Sequence, residues 1–511
     1  MSNEDNALPE EPRNLRELLE ERAGESPAKS FLISEADGRR YTYEQFDAAV
    51  NRTARMLAAE AAIVKGDVVS LLMPNSAEYI IAYFACFKLG ALAGPVNSLL
   101  KPHEAAYVLA NSEAKALLVH SEHKEKADAM RDELPSLRRV IEFDDETEAT
   151  RKFDRAEDDL PAVALDSDTE AVIIYTSGTS GKPKGCLLTH GNLIANARQI
   201  TRWLGFTERD RLLTVMPLFH MNAVSVTTLT PLYAGASTVV SPRFSASRFW
   251  QVVSEHEVTS FGSVATMLSM LLSRYPDGVP EGVKTEQLRF AMCGSAPVPA
   301  EVLRRFEKTF NCLVIEGYGL SESTCRSTFN PPDERRRPGS CGMAIGNEMK
   351  VVDEEGREVA DGELGEIVLR GENIFKGYYK NAQANASAFR DGWFHTNDIG
   401  YKDADGFFYI VDRKSDMIIR GGENIYPREI DETLYRHEAV AEAATIGAPD
   451  ALYGEEVVAF VVLKEGREAS ADELIEFCRL HLADYKCPKA IRFIDELPKG
   501  PTGKVLKRKL C

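Results

Sequence analysis

The 511-residue chain has no CxxC pair among its nine cysteines, no excess of basic residues and no apolar run that could span a bilayer. The first absence argues against a zinc site and a disulfide framework, and leaves the cysteines as packing residues suited to a reducing cytosol, where the protein is expected. The second follows from 61 Lys and Arg against 79 Asp and Glu, a formal charge of -18 that works against a broad nucleic-acid or anionic-membrane surface. Local basic clusters can still hold phosphates. The longest apolar stretch, Ile80 to Val96, carries Lys88 and is broken by Gly90, Gly94 and Pro95, so a helix followed by a buried strand accounts for it. The opening MSNEDNALPEEPRN is acidic and polar where a secretory signal would be basic and then apolar, and it is expected to fray. Internal repeats and low-complexity segments are missing as well, which removes solenoid architectures.

What the chain does have is a core-forming apolar share of 44% and a length beyond the usual size of one hydrophobic core, so two or more domains are expected. From Asp67 the pattern reads strand (VVSLL), turn (MPNS), helix (AEYIIAYFACFKL) ended by Gly90, and a short apolar strand (ALAGPV), a βαβ unit. A helix from Pro102 to Asn111 runs into the strand AKALLVH, so helices and buried strands alternate as a parallel layered sheet requires. The acidic stretch from Glu122 to Ser167 is expected at the surface. AVIIYTSGTS reads as a buried strand entering a polar glycine loop, and LTHGNLIANARQI as a helix start capped by Thr189 or Asn192. From ELGEIVLRG to MIIRGG, short strands between Gly and Asp turns predict a β-rich subdomain. The expected fold is α/β: a large N-terminal domain of layered α/β sheets plus the β-rich subdomain over residues 1–412, then a small α+β domain over 413–511. The small domain is expected to hold helices near 427–436 and 471–482.

The densest chemistry is the ten-residue segment TSGTSGKPKG from Thr176 to Gly185, with three glycines, four hydroxyls and two lysines. Glycines let backbone N–H groups converge on an anion, hydroxyls add donors, and lysines balance a polyphosphate. Pro183 stands where a Walker A loop has Ser or Thr, and the leading glycine is absent, so this is a different phosphate loop. On composition alone, a flexible connection is the commoner meaning of such a segment.

The full string YTSGTSGKPKG resembles the phosphate loop of the adenylate-forming superfamily, which includes acyl-CoA synthetases, peptide-synthetase adenylation domains and firefly luciferase. The other motifs follow in the family's order, covering the chain from about Leu15 to its end: MPLFH with His220, EGYGLSE with Glu322, WFHTNDIG with Asp398, DRKSDMIIRGGENIYPREI, and LPKGPTGKVLKRKL with Lys504. The resemblance implies an acid:CoA ligase that uses ATP, Mg²⁺ and coenzyme A, with Lys504, Thr176, Glu322 and His220 as catalytic residues. It implies a nucleotide site built from Thr176, Ser177, Gly178, Thr179, Ser180, Gly181, Lys182, Lys184, Gly294, Ser295, Ala296, Glu316, Gly317, Tyr318, Gly319, Ser321 and Ile410. Tyr318 would stack on adenine, and Asp398 and Arg413, which belong to the same site, would hold the ribose. Mg²⁺ would sit on Glu322 and Thr176, and the acid pocket would use His220, Asn222, Val224, Gly294 and Gly319. The small domain would be a mobile lid, bringing Lys504 to the phosphates in one orientation and Gly421, Gly422 and Glu423 to a pantetheine tunnel in the other.

Three positions depart from the family pattern. Asn397 replaces the glycine usual before the ribose Asp, and Asn tolerates left-handed φ. Ser321 stands where Thr is common and keeps the hydroxyl, while Ser415 occupies a hinge position where Asp or Lys is typical. The segment Met221 to Ser225 supplies no acid to meet a substrate amine, and GGENIYP favours CoA over a carrier-protein thiol. Val224 lies where some long-chain relatives place a Trp gate, which points to a short or medium fatty acid or a compact functionalised one. PLFHMNA and RFSASRFW also resemble ligases of the carnitine or crotonobetaine type. The alternatives are a stand-alone adenylation enzyme loading a carrier protein, a luciferase-like oxygenase, and a non-catalytic nucleotide sensor. The partners implied are a small carboxylic acid, ATP and CoA, with no nucleic acid, no integral membrane segment, and a homodimer of the kind that occurs in the family.

Overall fold

The apolar stretch that falls short of a membrane span folds as the helix Ala77–Leu89 and the strand Leu92–Pro95, with Ser76 capping the first turn and Gly90 closing the last at φ 65. All 13 helix residues are buried, because the helix packs on strands of two different sheets and keeps no solvent face. Lys88 is buried with them and reaches Asp47 at 2.6 Å and Glu20 at 3.1 Å. The computed structural model describes residues 11–153, 160, 162–176, 182–294, 300–414, 416–450, 452–500 and 505–510.

One sheet runs Leu313–Glu316, Phe290–Cys293, Ser260–Ser263, Arg211–Thr214, Ser237–Val240 and Ser30–Ser34 in parallel, and Arg40–Thr42 adds an antiparallel edge. The other has Arg139–Glu142, Ala116–Val119, Val68–Leu72, Leu92–Pro95 and Glu170–Thr176 in parallel. It ends in two antiparallel strands, Lys184–Thr189 and Gly377–Tyr378. One apolar core joins both sheets and the helices between them, a second covers the other face of the second sheet around Leu72, Leu109 and Leu117, and this is the layered α/β architecture expected.

Two sequence readings need adjustment here. The chain between the phosphate loop and the helix His190–Leu204 is not a plain connection: the strand Lys184–Thr189, which sequence reading did not assign, fills it and pairs with Glu170–Thr176. KGCLLT is too short to show a period of its own. Thr189 is the cap, its hydroxyl accepting from Asn192 N at 3.1 Å while Asn192 bonds back. Nor is the acidic stretch wholly at the surface, since Glu146 is buried and forked by Arg52 at 3.1 Å.

The β-rich subdomain is an antiparallel sheet of Glu348–Val352, Gly365–Arg370 and Trp393–Lys402, with Phe389–Arg390 and Phe408–Arg413 also pairing with the last. The C-terminal lobe has its own sheet, built from the hairpin Ile418–Arg420 and Glu423–Ile425, the long pair Val440–Asp450 and Gly454–Leu463, and Ala490–Phe493. Its helices are Pro427–Tyr435 and Ala471–Arg479, and its core is separate, formed by Ile418, Ile430, Leu434, Val457, Val461 and Leu474. The second helix ends before Leu482, at the point where Leu480 stands 81% exposed and has left the apolar face. Among the described residues eight cysteines are free thiols, all buried except Cys341, and no helix is long and apolar enough to cross a membrane.

Candidate active site

Thr176 ends its strand half-buried, directly across the ladder from Lys184; Ser177, Gly178, Thr179, Ser180 and Gly181 lie outside the described residues. Lys184 Nζ stands 5.0 Å from the centre of the Tyr378 ring, and Lys182 Nζ 5.7 Å from that of Tyr107. The Tyr378 hydroxyl in turn donates to Glu322 Oε1 at 2.9 Å. Glu322 sits in the single 3₁₀ turn Ser321–Ser323, where burial pushes its carboxyl above the ordinary range, opposed by the Tyr378 hydrogen bond and by Arg413. A carboxylate so placed gains from a cation. Among the described residues no three His, Cys, Asp or Glu converge, so a divalent ion at Glu322 would complete its shell with phosphate oxygens, water and a hydroxyl, the role assigned to Thr176. The donor set fits Mg²⁺.

The turn carrying Glu322 is tightly built. Thr324 takes φ 67, costly for a β-branched residue, and its hydroxyl is held by Asn373 O at 2.7 Å. A Cβ on Gly319 would overlap the Cys325 carbonyl, and one on Gly317 would meet the Phe329 ring at 2.5 Å, so both glycines are needed for close approach. Glu316 ends the preceding strand with Oε2 accepting from Gly339 N at 2.9 Å, and burial pushes its carboxyl up to about 7.

Beside this turn, Asp398 is buried on Trp393–Lys402, taking the Tyr318 hydroxyl at 2.5 Å and Arg413 Nε at 3.1 Å. Arg413 is its register partner on the neighbouring strand, which also carries Ile410, half-buried, whose carbonyl accepts from Arg428. Asn397 adopts φ 59, the left-handed place that glycine holds in the family pattern. Its N–H donates to Glu366 Oε1 at 3.0 Å and its carbonyl accepts from Lys414 N at 2.9 Å, which fixes the approach to Asp398.

On the acid side, His220 packs its ring on Phe219, centroids 4.7 Å apart, and leaves Nε2 buried without a partner. Burial pushes the imidazole down to about 4, so it is neutral at pH 7. Asn222–Leu229 winds as a π-helix, in which the Thr227 and Thr228 hydroxyls capture Ala223 O and that of Thr230 captures Ser225 O. Asn222 opens this helix with both side-chain polar atoms buried and unpaired, and Val224 is buried two residues on.

Gly421 and Gly422, at φ 59 and 91, form a hairpin turn with Glu423 exposed beside it. Lys504, Ser295, Ala296 and Ser415 lie outside the described residues. Lys499 and Gly500 line a cavity of about 1270 Å³ between the lobes, together with Met216, Pro217, Phe219, Tyr435 and Lys464. Two residues of the site escaped sequence reasoning: Tyr378, the link between Lys184 and Glu322, and Arg326, which packs against Gly294. The available signal for Arg326 was a charge inside the otherwise small or apolar run STCRSTF.

A hairpin whose strands carry Thr176 and Lys184 side by side, linked through Tyr378 to a buried carboxylate suited to a divalent ion, fits the layout of an adenylate-forming enzyme. The AMP-binding enzyme family matches residues 19–379 and the AMP-binding enzyme C-terminal domain matches 429–504. The chain belongs to this family, in its acyl-CoA synthetase branch. It is 39% identical to the sulfoacetate–CoA ligase of Cupriavidus necator, covering 98% of each chain, and 35% identical to a long-chain-fatty-acid–CoA ligase of Mycobacterium tuberculosis, covering 97% of each. Among solved structures it is similar to o-succinylbenzoate CoA synthetase from Bacillus subtilis in complex with its acyl-adenylate intermediate, at 34% identity, a TM-score of 0.86 and 98% coverage of both chains.

Proposed function

We propose that this ligase activates a short or compact functionalised carboxylic acid as its adenylate and passes the acyl group to CoA, with MgATP as the energy source. Residues 1–412 hold nucleotide and acid, and 413–511 act as the lid. Mg²⁺ on Glu322 and Thr176 would neutralise the polyphosphate, while Lys182 and Lys184 supply further positive charge and Asp398 and Arg413 hold the ribose. The interlobe cavity of about 1270 Å³ exceeds the roughly 300–1,000 Å³ of an ordinary ligand pocket and reaches Phe219, the neighbour of His220, so it offers room for a pantetheine arm to approach the acid side.

The observation that carries the acid's class is a set of buried polar atoms left without partners. His220 Nε2 and both polar atoms of Asn222 are buried without partners, and a long alkyl chain would leave all three unsatisfied. A compact acid with polar substituents satisfies them. The test is a panel of acids with ATP and CoA, read as AMP release and as thioester by mass spectrometry. Short or functionalised acids should give thioester. Acyl transfer only to a phosphopantetheinylated carrier protein, or a higher kcat/KM on palmitate than on short acids, would overturn the reading.

A further inference from the structure

Arg326 is 1% exposed and lies four residues beyond Glu322. Its Nη1 donates to Gly317 O at 3.2 Å and its guanidinium faces the Phe329 ring at 5.3 Å, but neither Nε nor Nη2 has a hydrogen-bond partner. Among the described residues no carboxylate pairs with it. Arginine keeps its proton at any pH a protein meets, so the charge is permanent, and an unpaired buried cation is disfavoured unless an anion completes it.

Where this cation lies identifies the anion. A Cβ on Gly294 would collide with Arg326 Nη1, which places the guanidinium over the end of Phe290–Cys293. The neighbouring strand Ser260–Ser263 pairs with it in the register Gly262 to Met292, and Asn222 Oδ1 lies 3.0 Å from where a Cβ on Gly262 would stand. The Arg326 guanidinium and the unpaired amide of Asn222 thus border adjacent strands at one end of the sheet. Nε and Nη2 also form one side of the guanidinium fork, the edge that takes a planar or tetrahedral oxyanion through two parallel hydrogen bonds. The Arg326 backbone is fixed independently, its carbonyl accepting from Asn196 Nδ2 at 2.7 Å and from Asn373 Nδ2 at 3.3 Å.

We infer that Arg326, with Asn222 beside it, is an anion subsite for the second acidic group of a short dianionic substrate, a carboxylate or sulfonate at the end remote from the carboxylate that is activated. The inference rests on the acid:CoA ligase reading and adds to it the charge of the substrate and the residue that selects it. A neutral acid of the same shape would leave the guanidinium buried and unpaired, which is the situation in which binding sites discriminate most strongly.

The experiment compares isosteric pairs that differ in charge: malonate with isovalerate, and sulfoacetate with 3,3-dimethylbutyrate. Two readouts are taken on the full chain, the melting temperature with acid alone and pyrophosphate release with ATP, for wild type, Arg326→Met and Arg326→Lys. Wild type should be stabilised by at least one dianion and not by its neutral partner. Arg326→Met should lower the dianion-to-neutral ratio of kcat/KM by on the order of 10²-fold, with Arg326→Lys between the two. Unliganded Arg326→Met should melt no lower than wild type, because the unpaired charge is gone. Equal response of wild type to both members of each pair, or an Arg326→Met ratio equal to that of wild type, would overturn the inference. Charge-dependent stabilisation without thioester from any acid would instead remove the ligase reading and leave the subsite standing.

Discussion

Replacing Asp398 by Asn keeps the shape of the side chain and one acceptor oxygen but removes its charge. The carboxylate is 3% exposed and already holds the Tyr318 hydroxyl at 2.5 Å and Arg413 Nε at 3.1 Å. A hydrogen bond to a charged group contributes about 1.5–3 kcal/mol, against about 0.5–1.5 kcal/mol for a neutral pair. With both ribose hydroxyls donating to this carboxylate, each bond weakens by about 1 kcal/mol, and the combined loss of about 2 kcal/mol raises the KM for ATP about 30-fold. The Arg413 side chain is 38% exposed, so water takes over part of its lost pairing. The fold should therefore lose no more than about 1–2 kcal/mol. Pyrophosphate release against ATP concentration at saturating acid reads the change, with 2′-deoxy-ATP and 3′-deoxy-ATP closing a double cycle. Each deoxynucleotide should cost wild type about tenfold and Asp398→Asn markedly less. An unchanged KM for ATP, or a variant as sensitive to the missing hydroxyls as wild type, would refute the ribose assignment.

Lys504→Ala should slow adenylation by roughly 2.7–4 kcal/mol while barely affecting thioester formation from supplied acyl-AMP, and equal slowing of both half-reactions would argue against a moving lysine. The His220 imidazole, lowered from 6.5 to about 4 by burial, stays neutral in the native state while the unfolded chain takes up a proton first. Its contribution to stability is therefore complete above about 6.5 and is lost as pH falls to about 4, and His220→Gln should flatten the urea midpoint across that window. A variant profile parallel to wild type would contradict the burial argument. At φ 59, Asn397→Gly should unfold within about 0.5 kcal/mol of wild type, whereas Asn397→Val should lose about 1–2 kcal/mol or more. Equal urea midpoints for the two would show that the left-handed backbone is not what Asn397 provides.

Much of the architecture was legible where local pattern and tertiary demand agree. The run AEYIIAYFACFKL reads as a helix by length and by its Gly90 stop, and its uniform hydrophobicity matches a position with sheet strands on more than one side. Asn397 was readable because the family resemblance put a glycine at its position and Asn is one of the few other residues that accept left-handed φ. The strand Lys184–Thr189 was not legible, since its six residues lie between a glycine loop and a helix cap and show no distinct period. Residues such as Lys184, Tyr378 and Glu322 meet across separations of 56 residues and more, and only the fold brings them together. Arg326 was missed for a related reason: an isolated arginine usually means a solvated surface, and only burial without a partner gives it another meaning.

The turn from Glu322 to Arg326 has a consequence for how such an enzyme changes its diet. Asn373 Nδ2 donates to both Ser323 O and Arg326 O, at 3.2 and 3.3 Å, while Asn196 takes Arg326 N at 3.3 Å. The main chain is therefore clamped independently of whatever side chain stands at 326. On the subsite inferred above, a substitution there would change which acid is held without displacing the Glu322 backbone, and its cost to the nucleotide side would be confined to the Nη1 bond to Gly317 O.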